Sequence, residues 1–167
     1  MANMDFILAD NAKKITRAAD LAAVIWKEHY TPIIGGAQVA YMVKKYTSAE
    51  AITAQIENHG YTYYLFSDGE EAFGYLAYYI DDGLFLSKLY LLNSHRGKGY
   101  ARLALDMLKD VCRERGLRRI WLQVNKNNIN SINAYRALGF EIFEEKVTDI
   151  GEGYVMDDYF MQTTINK

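Results

Sequence analysis

Two glycines, Gly97 and Gly99, stand among basic residues, between an apolar stretch typical of a buried strand and an amphipathic stretch typical of a helix. A turn from strand into helix leaves backbone amides without partners, and the helix dipole makes that end positive. Glycine also lets a ligand approach the backbone closely. Arg96, Lys98 and Arg102 add positive charge. The segment is therefore typical of a pyrophosphate-binding loop.

Two other phosphate-binding motifs do not fit this loop. The dinucleotide fingerprint requires a glycine three residues after Gly99, where Arg102 stands. The P-loop requires a second glycine five residues after Gly97, and that position is again Arg102. An ordinary glycine-containing turn with solvated basic residues remains the alternative, so matches elsewhere in the chain must decide.

The stretch resembles the signature of the GNAT superfamily of N-acetyltransferases, Arg/Gln-x-x-Gly-x-Gly/Ala, which Arg96, Gly99 and Ala101 fill. A second signature of the family is matched downstream by Val124, Asn125, Asn128, Ser131, Ile132, Tyr135, Gly139 and Phe140. Both matches have the spacing and order of the family. The predicted element order also resembles the family over essentially the whole chain.

The resemblance implies that acetyl-CoA is the co-substrate. In the family the loop amides hold its pyrophosphate, and the pantetheine arm pairs with the preceding strand as another strand would. The residues that the resemblance assigns to this binding are Leu89, Tyr90, Leu91, Arg96, Gly97, Lys98, Gly99, Ala101, Arg102 and Asn128. The alternative for Asn128 is an N-cap of the following helix, and one residue can do both.

The resemblance also implies a catalytic role for Tyr135, since a tyrosine at this position of the family protonates the departing CoA thiolate. The alternative is a tyrosine that packs a short helix on the sheet. The implied reaction is direct attack of an amine on the thioester, which needs no covalent intermediate. Cys112 lies on the apolar face of its helix and is interpreted as a packed residue.

The general base is where the chain departs from the family. Many relatives place a glutamate on the strand before the loop, whereas residues 85–88 contain no acid and Ser87 stands where one is expected. Deprotonation is left to a water relay, to Glu28 or His29, or to a C-terminal acid. This departure keeps open a second class of function, a non-catalytic acyl-CoA-binding sensor or interaction module, although Tyr135 favours catalysis.

Two acidic and aromatic segments are candidates for the amine side, one on an early helix and one in residues 149–159. The candidate substrate-binding residues are Trp26, Glu28, His29, Tyr30 and Asp157. Such a pocket suits a cationic amine through charge and cation–π contact. The early helix and the acidic tail resemble a subgroup of the family that includes bacterial polyamine acetyltransferases, so a polyamine is the favoured acceptor. Peptide N-terminal or lysine amines and aminoglycosides remain open.

The composition limits the other functions of the chain. Its 167 residues are predicted to form one domain, 1–167, and its net charge of -2 argues against a nucleic-acid partner. With one cysteine, no secretory signal pattern and no membrane-length apolar stretch, a cytoplasmic location is expected. We expect no metal, since His59 and His95 are interpreted as solvated turn residues. An exposed edge among the last strands offers a homodimer interface.

The elements that must position these residues follow from periodicity, caps and turn signals. Helices are predicted over residues 20–30, 39–46, 49 to about 60, 97–115 and 129–138. Strands are predicted over residues 6–9, 61–67, 72–80, 84–92, 120–124, 140–148 and 154–164. Ser48 is the expected N-cap of the third helix, and Pro32 is expected to lie beyond the end of the first.

The order of these elements predicts the fold class. Turn signals at residues 68–69 and 81–83 make strands 61–92 an antiparallel meander. The helix at 97–115 is a crossover, which places strand 120–124 parallel to strand 84–92. We therefore predict an α/β fold with a mixed, mostly antiparallel central sheet, a splayed parallel strand pair and flanking helices.

Overall fold

The computed structural model describes residues 3–69 and 71–166. In chain order the elements are β1 (Asp5–Leu8), α1 (Ala12–Ile34), α2 (Gly36–Tyr46), α3 (Ala49–Asn58), β2 (Thr62–Ser67), β3 (Ala72–Ile80), β4 (Leu84–Leu91), α4 (Tyr100–Arg115), β5 (Arg119–Asn125), α5 (Ile129–Ala137), β6 (Glu141–Gly151) and β7 (Tyr154–Thr164). A short 3-10 turn at Asn93–His95 follows β4. No helix of the described ranges is both long and apolar enough to cross a membrane.

These elements form two compact units. The first contains the described residues up to Tyr79 together with Ser87–Leu103, and the second contains Ile80–Leu86 with the residues from Ala104 onward. Strand β4 and helix α4 contribute residues to both. The strand order is β1-β2-β3-β4 in the first unit and β4-β5-β7-β6 in the second.

In the first unit, β1 and β2 pair antiparallel, as do β2 and β3. Helix α1 begins at the N-cap Asn11, whose side chain accepts a hydrogen bond from Lys14 N at 2.9 Å. Its buried residues recur at helical spacing and comprise Ile15, Ala18, Ala22, Ile25, Trp26 and Tyr30. This apolar stripe holds the helix in the core of the unit.

Helix α1 is longer than predicted at both ends. The prediction ended it before Pro32, but the helix continues to Ile34 and includes that proline. A proline in the last turn removes only the bond to the carbonyl of Glu28, so the helix can absorb it. The helix then ends at Gly35, whose amide donates to Thr31 O at 3.0 Å. By contrast, the predicted cap of α3 is confirmed, since Ser48 Oγ accepts from Ala51 N at 3.1 Å.

The second unit confirms the predicted parallel pair. Leu84 pairs with Ile120 and Phe85 with Trp121, although β4 continues to Leu91 and β5 to Asn125. Strand β5 also pairs antiparallel with β7, which pairs with β6. Helix α4 buries its apolar face, at Ala104, Leu105, Leu108 and Cys112. The predicted bounds of β3 and β7 are those observed.

Gly74 on β3 sets the distance between that strand and β4. A Cβ atom at this position would lie 2.6 Å from Tyr90 O and 2.8 Å from side-chain atoms of Leu91 and Phe66. A backbone carbonyl within a sheet cannot move aside as a flexible side chain can. Only glycine therefore allows this approach.

We predict that Gly74→Ala lowers the free energy of unfolding by about 1–3 kcal/mol, because the added methyl group overpacks against β4. Gly36→Ala is the matched control. A Cβ at Gly36 meets no atom within 4 Å, and alanine is the better helix former, so stability should stay equal or rise. Urea unfolding of both variants checks this, and equal midpoints would contradict the overpacking.

Candidate functional site

The loop between β4 and α4 has the predicted geometry of an anion site. Gly97 and Gly99 have φ values of 73° and 87°, a region that residues with a side chain rarely adopt. The first helical hydrogen bond of α4 runs from Leu103 N to Gly99 O at 3.2 Å. The amides of residues 100–102 precede that bond and have no carbonyl one turn earlier in the helix. They are thus available to an anion at the positive end of the helix dipole. The predicted helix start at residue 97 was wrong, because these glycines form the loop itself.

The first arginine of the loop is held from two sides. Arg96 Nη1 lies 3.1 Å from His29 Nδ1, and Arg96 Nε donates to Leu91 O at 3.4 Å. His29 was predicted to lie on the amine side, and the structure places it beside the loop. The side chains of Lys98 and Arg102 are exposed. The loop therefore carries one oriented cation and two exposed ones.

His95 anchors the loop, which corrects its interpretation as a solvated turn residue. Its ring stacks on Phe73 with a centroid distance of 4.2 Å and an angle of 7°. Its Nε2 lies 3.4 Å from Asp68 Oδ2, and its Nδ1 lies 2.8 Å from Ser94 Oγ. These contacts join the loop to β3 and to the turn before it.

The backbone of β4 presents different groups at its two edges. Tyr90 O faces Gly74 of β3, and Leu92 N donates to Phe73 O at 2.8 Å. Because alternate residues of a strand direct their backbone groups to opposite edges, those of Leu89 and Leu91 point away from β3. Among the three residues assigned to pantetheine binding, Leu89 and Leu91 therefore direct their backbone N–H and C=O groups away from β3, and Tyr90 does not.

The aromatic residues proposed for the amine side form a buried cluster. Trp26 Nε1 donates to Tyr75 Oη at 2.9 Å, and the hydroxyl groups of Tyr30 and Tyr90 lie 3.0 Å apart. Trp26 and Tyr30 are both buried, whereas Glu28 is exposed on α1. Burial raises the pKa of Tyr75 well above its usual range. The cluster packs α1 against β3 and β4.

A buried lysine on β4 escaped the sequence reasoning, which considered residues 85–88 only for an acid. Lys88 Nζ donates to Tyr46 O at 2.9 Å, to Gln55 Oε1 at 3.1 Å and to the hydroxyl group of Tyr63. Burial lowers the pKa of Lys88 to about 7. The sequence signal was a lysine on the same face as Leu86 and Tyr90 in an otherwise apolar strand.

A cleft of about 540 Å³ lies beside this lysine network. Its lining residues are Lys45, Tyr46, Ala51, Ala54, Gln55, His59, Tyr61 and Tyr79. Three phenols and a lysine line it without a carboxylate, so its charge does not suit a cationic amine.

In the second unit, Asn128 caps α5. Its side chain accepts from Ser131 N at 3.4 Å and is 3% exposed. Asn125 Oδ1 accepts from Asn127 N at 2.8 Å and stabilises the turn before the helix. Tyr135 is half-buried, and its ring meets that of Phe140 at 5.4 Å. A partly exposed phenol on a capped, packed helix can reach a ligand.

The acidic hairpin of the second unit contains an ion pair. Asp157 Oδ1 lies 3.1 Å from Lys126 Nζ, and this nitrogen lies 3.5 Å from Glu145 Oε2. Asp157 Oδ1 is buried and has no hydrogen-bond partner in the described ranges. Its contact with Lys126 is therefore an ion pair without hydrogen-bond geometry. Asp157 was predicted to contact the substrate, whereas its buried neighbour Asp158 was not.

Cys112 has no exposed surface, as expected for a packed residue, and burial raises the pKa of its thiol to about 11. Such a thiol is a poor nucleophile. Within residues 3–69 and 71–166, no group of three His, Cys, Asp or Glu residues could hold a metal ion.

Comparison with protein families gives a match over residues 21–140 to the family described as acetyltransferase (GNAT). Among curated proteins, streptothricin acetyltransferase of Streptomyces lavendulae is 46% identical over 46 residues. That segment covers 28% of this chain and 24% of the relative, so the match spans about a quarter of the relative's length.

Two solved structures illustrate the structural similarity. The PaiA N-acetyltransferase of Thermoplasma acidophilum, in complex with coenzyme A, gives a TM-score of 0.78 at 15% identity over 98% of this chain and 99% of that chain. The ribosomal-protein-S18-alanine N-acetyltransferase of Escherichia coli gives a TM-score of 0.67 at 15% identity, covering 100% of this chain and 96% of that chain. At such identities the similarity establishes the fold.

We predict that Lys88→Met raises stability near pH 7. The replacement removes a buried cation, and Tyr46 O and Gln55 Oε1 keep hydrogen bonds from Gln55 Nε2 and the Tyr63 hydroxyl group. Between about pH 7 and pH 10 the folded lysine is neutral while the unfolded lysine is protonated. The unfolded state then binds more protons, so wild-type stability rises with pH by up to about 1.4 kcal/mol per unit. The advantage of the variant should shrink over this range.

Urea unfolding from pH 6 to pH 10 measures this difference. Lys13→Met, at an exposed position of α1, is the control and should give a difference independent of pH. A pH-independent difference for Lys88→Met would show that the folded lysine remains protonated.

Proposed function

The chain belongs to the acetyltransferase (GNAT) family, and on this basis we propose that it transfers an acetyl group from acetyl-CoA to the nitrogen of a primary amine. A small cationic amine, and a polyamine in particular, is the favoured acceptor. The matched region contains both signatures, so the resemblance seen in the sequence is confirmed for the family. The predicted fold class, the enzyme class and the acetyl-CoA co-substrate are likewise those of the family.

The loop between β4 and α4 is the observation that carries the proposal. Its two glycines adopt positive φ, the amides of residues 100–102 lie ahead of the first helical bond, and Arg96 is oriented by His29. This combination fits a diphosphate, because backbone donors, the positive end of the helix dipole and an oriented cation belong to one short segment. The Leu89 and Leu91 backbone groups would then pair with the pantetheine arm. Acetyl-CoA supplies an acetyl group activated as a thioester.

Tyr135 is the residue that we propose to give a proton to the leaving sulfur. Tyr135 is partly exposed, which fits this role. Packing against Phe140 restricts the ring to few orientations. The buried, high-pKa thiol of Cys112 supports direct transfer without an acyl-enzyme.

The acceptor is proposed from charge. The second unit bears exposed carboxylates on β6, at Glu144, Glu145 and Asp149, and two further carboxylates on β7, at Asp157 and the largely buried Asp158. A cationic amine is attracted to such a surface, and a second ammonium group on a polyamine finds a further carboxylate nearby. The short match to streptothricin acetyltransferase supports streptothricin as a second candidate acceptor.

The proposal is tested by incubating the purified protein with acetyl-CoA and one amine at a time, and following free thiol. The panel contains spermidine, spermine, streptothricin, free lysine and a peptide with a free N-terminus. We expect thiol release that depends on the amine and is fastest with a polyamine. Mass spectrometry of the product should show the added acetyl group.

Two results would reject the proposal in different ways. Binding of CoA in calorimetry with no amine-dependent thiol release would favour the non-catalytic sensor. Release that is fastest with the peptide would replace the polyamine by a peptide amine as the acceptor class.

We predict that Tyr135→Phe lowers kcat by about 100-fold or more, the lower end of what a positioned general acid contributes. The phenyl ring keeps the contact with Phe140, so stability and CoA affinity should change little. Tyr64→Phe on β2 is the matched control and should keep its turnover. Full turnover by folded Tyr135→Phe would remove the residue from the mechanism.

A further inference from the structure

Two adjacent carboxylates on β7 have different surroundings. Successive side chains of a strand point to opposite faces, so Asp157 and Asp158 lie on different faces of the sheet. Asp157 lies on the face where Lys126 neutralises it. Asp158 lies on the other face, directly between Asn125 of β5 and Lys146 of β6 in the strand register.

Asp158 is largely buried, but its carboxylate oxygens are not sealed from solvent, and no counter-ion lies beside it in the described part of the chain. Only 3% of the residue is exposed, and no hydrogen bond or ion pair from any described residue reaches its carboxylate. Lys146 stands opposite, but its side chain is exposed and forms no ion pair with Asp158 in the described part of the chain. Of its other neighbours by register or sequence, Asn125 is neutral and Asp157 repels it.

This arrangement is costly for the folded chain. A carboxylate that is largely removed from water and has no partner destabilises the fold unless something else compensates for it. Burial, with a smaller contribution from the charge of Asp157, raises the pKa of Asp158 to about 6. Near neutral pH the group is still mostly ionised. An uncompensated buried anion of this kind is complementary to a cation that is supplied from outside the chain.

We propose that Asp158 is the carboxylate that receives the ammonium group of the acceptor amine and removes its first proton. The inference rests on the proposed function and supplies the base that the family motif lacks at Ser87. The burial and the absent counter-ion distinguish Asp158 from Asp157, whose charge Lys126 already neutralises. An exposed surface acid would be hydrated and would bind an ammonium group weakly.

The ammonium group gives one proton to the Asp158 carboxylate and becomes a neutral amine with a free lone pair. That lone pair forms the C–N bond, the C–S bond breaks, and its electron pair leaves on sulfur. The sulfur gains one proton and the nitrogen loses its second, so the net product is one proton on Asp158, which passes to solvent.

Asp158→Asn tests the role, since it keeps the shape of the side chain and removes the charge. With spermidine as acceptor we expect kcat/KM to fall by about 100-fold or more and its acid limb near pH 6 to disappear. The KM for acetyl-CoA should stay unchanged. Asp158→Glu should restore part of the activity, because it restores a carboxylate.

Thermal unfolding separates this role from a structural one. The raised pKa of Asp158 means that wild-type stability falls as pH rises from about 4 to about 6. Asp158→Asn should therefore raise Tm at pH 7 and leave it unchanged at pH 4. Asp106→Asn, exposed on α4, is the control and should change neither activity nor Tm.

Each outcome decides the inference. Retained turnover by Asp158→Asn, or a joint loss of activity and Tm, would overturn it. If the wild type releases no thiol with any amine, the proposed function fails. Calorimetry of spermidine binding then decides whether Asp158 is an ammonium site. Binding that Asp158→Asn abolishes would keep Asp158 as the ammonium site, and absent or unchanged binding would reject it.

Discussion

The backbone of β4 sets the positions of the groups around it. Backbone amides and carbonyls need partners, and β4 satisfies one edge through β3, where Gly74 lets the strands approach closely. Its pairing with β5 ends after Phe85, although the strand continues to Leu91. This pairing does not reach the outward groups of Leu89 and Leu91, although Arg96 Nε donates to the Leu91 carbonyl. The glycine loop follows where the strand ends. A strand-like ligand arm with a terminal diphosphate matches this order of donors.

Lys88 and Asp158 are both buried and ionisable, but they differ in whether the fold supplies hydrogen-bond partners for the charged group. Protonated Lys88 has three donors and meets three oxygen acceptors, so the fold itself satisfies the group. Asp158 is buried to a similar degree, but no described residue donates to its carboxylate. The first arrangement joins α2 and α3 to the sheet. The Asp158 carboxylate is left without a donor from the described residues, and a cationic ligand would supply one.

The loop is positioned by contacts from distant parts of the first unit. His29 of α1 holds Arg96, and His95 stacks on Phe73 of β3. An anion site made of backbone amides depends on such contacts, because the amides must already point at the ligand when it arrives. Fixing the loop in advance lowers the entropy that binding would otherwise lose.

The sequence by itself determined the elements and the loop. The bounds of β3 and β7, the Ser48 cap and the glycine motif depend on local propensity and spacing, which a single segment carries. The end of α1 was wrong because packing of its apolar stripe outweighed the local penalty of Pro32. The tertiary structure alone decided that His29 meets Arg96, that Lys88 finds three acceptors and that Asp158, unlike Asp157, has no ion pair with any described residue. These outcomes depend on which face of a strand a residue occupies and on segments tens of residues apart, and no local pattern records them.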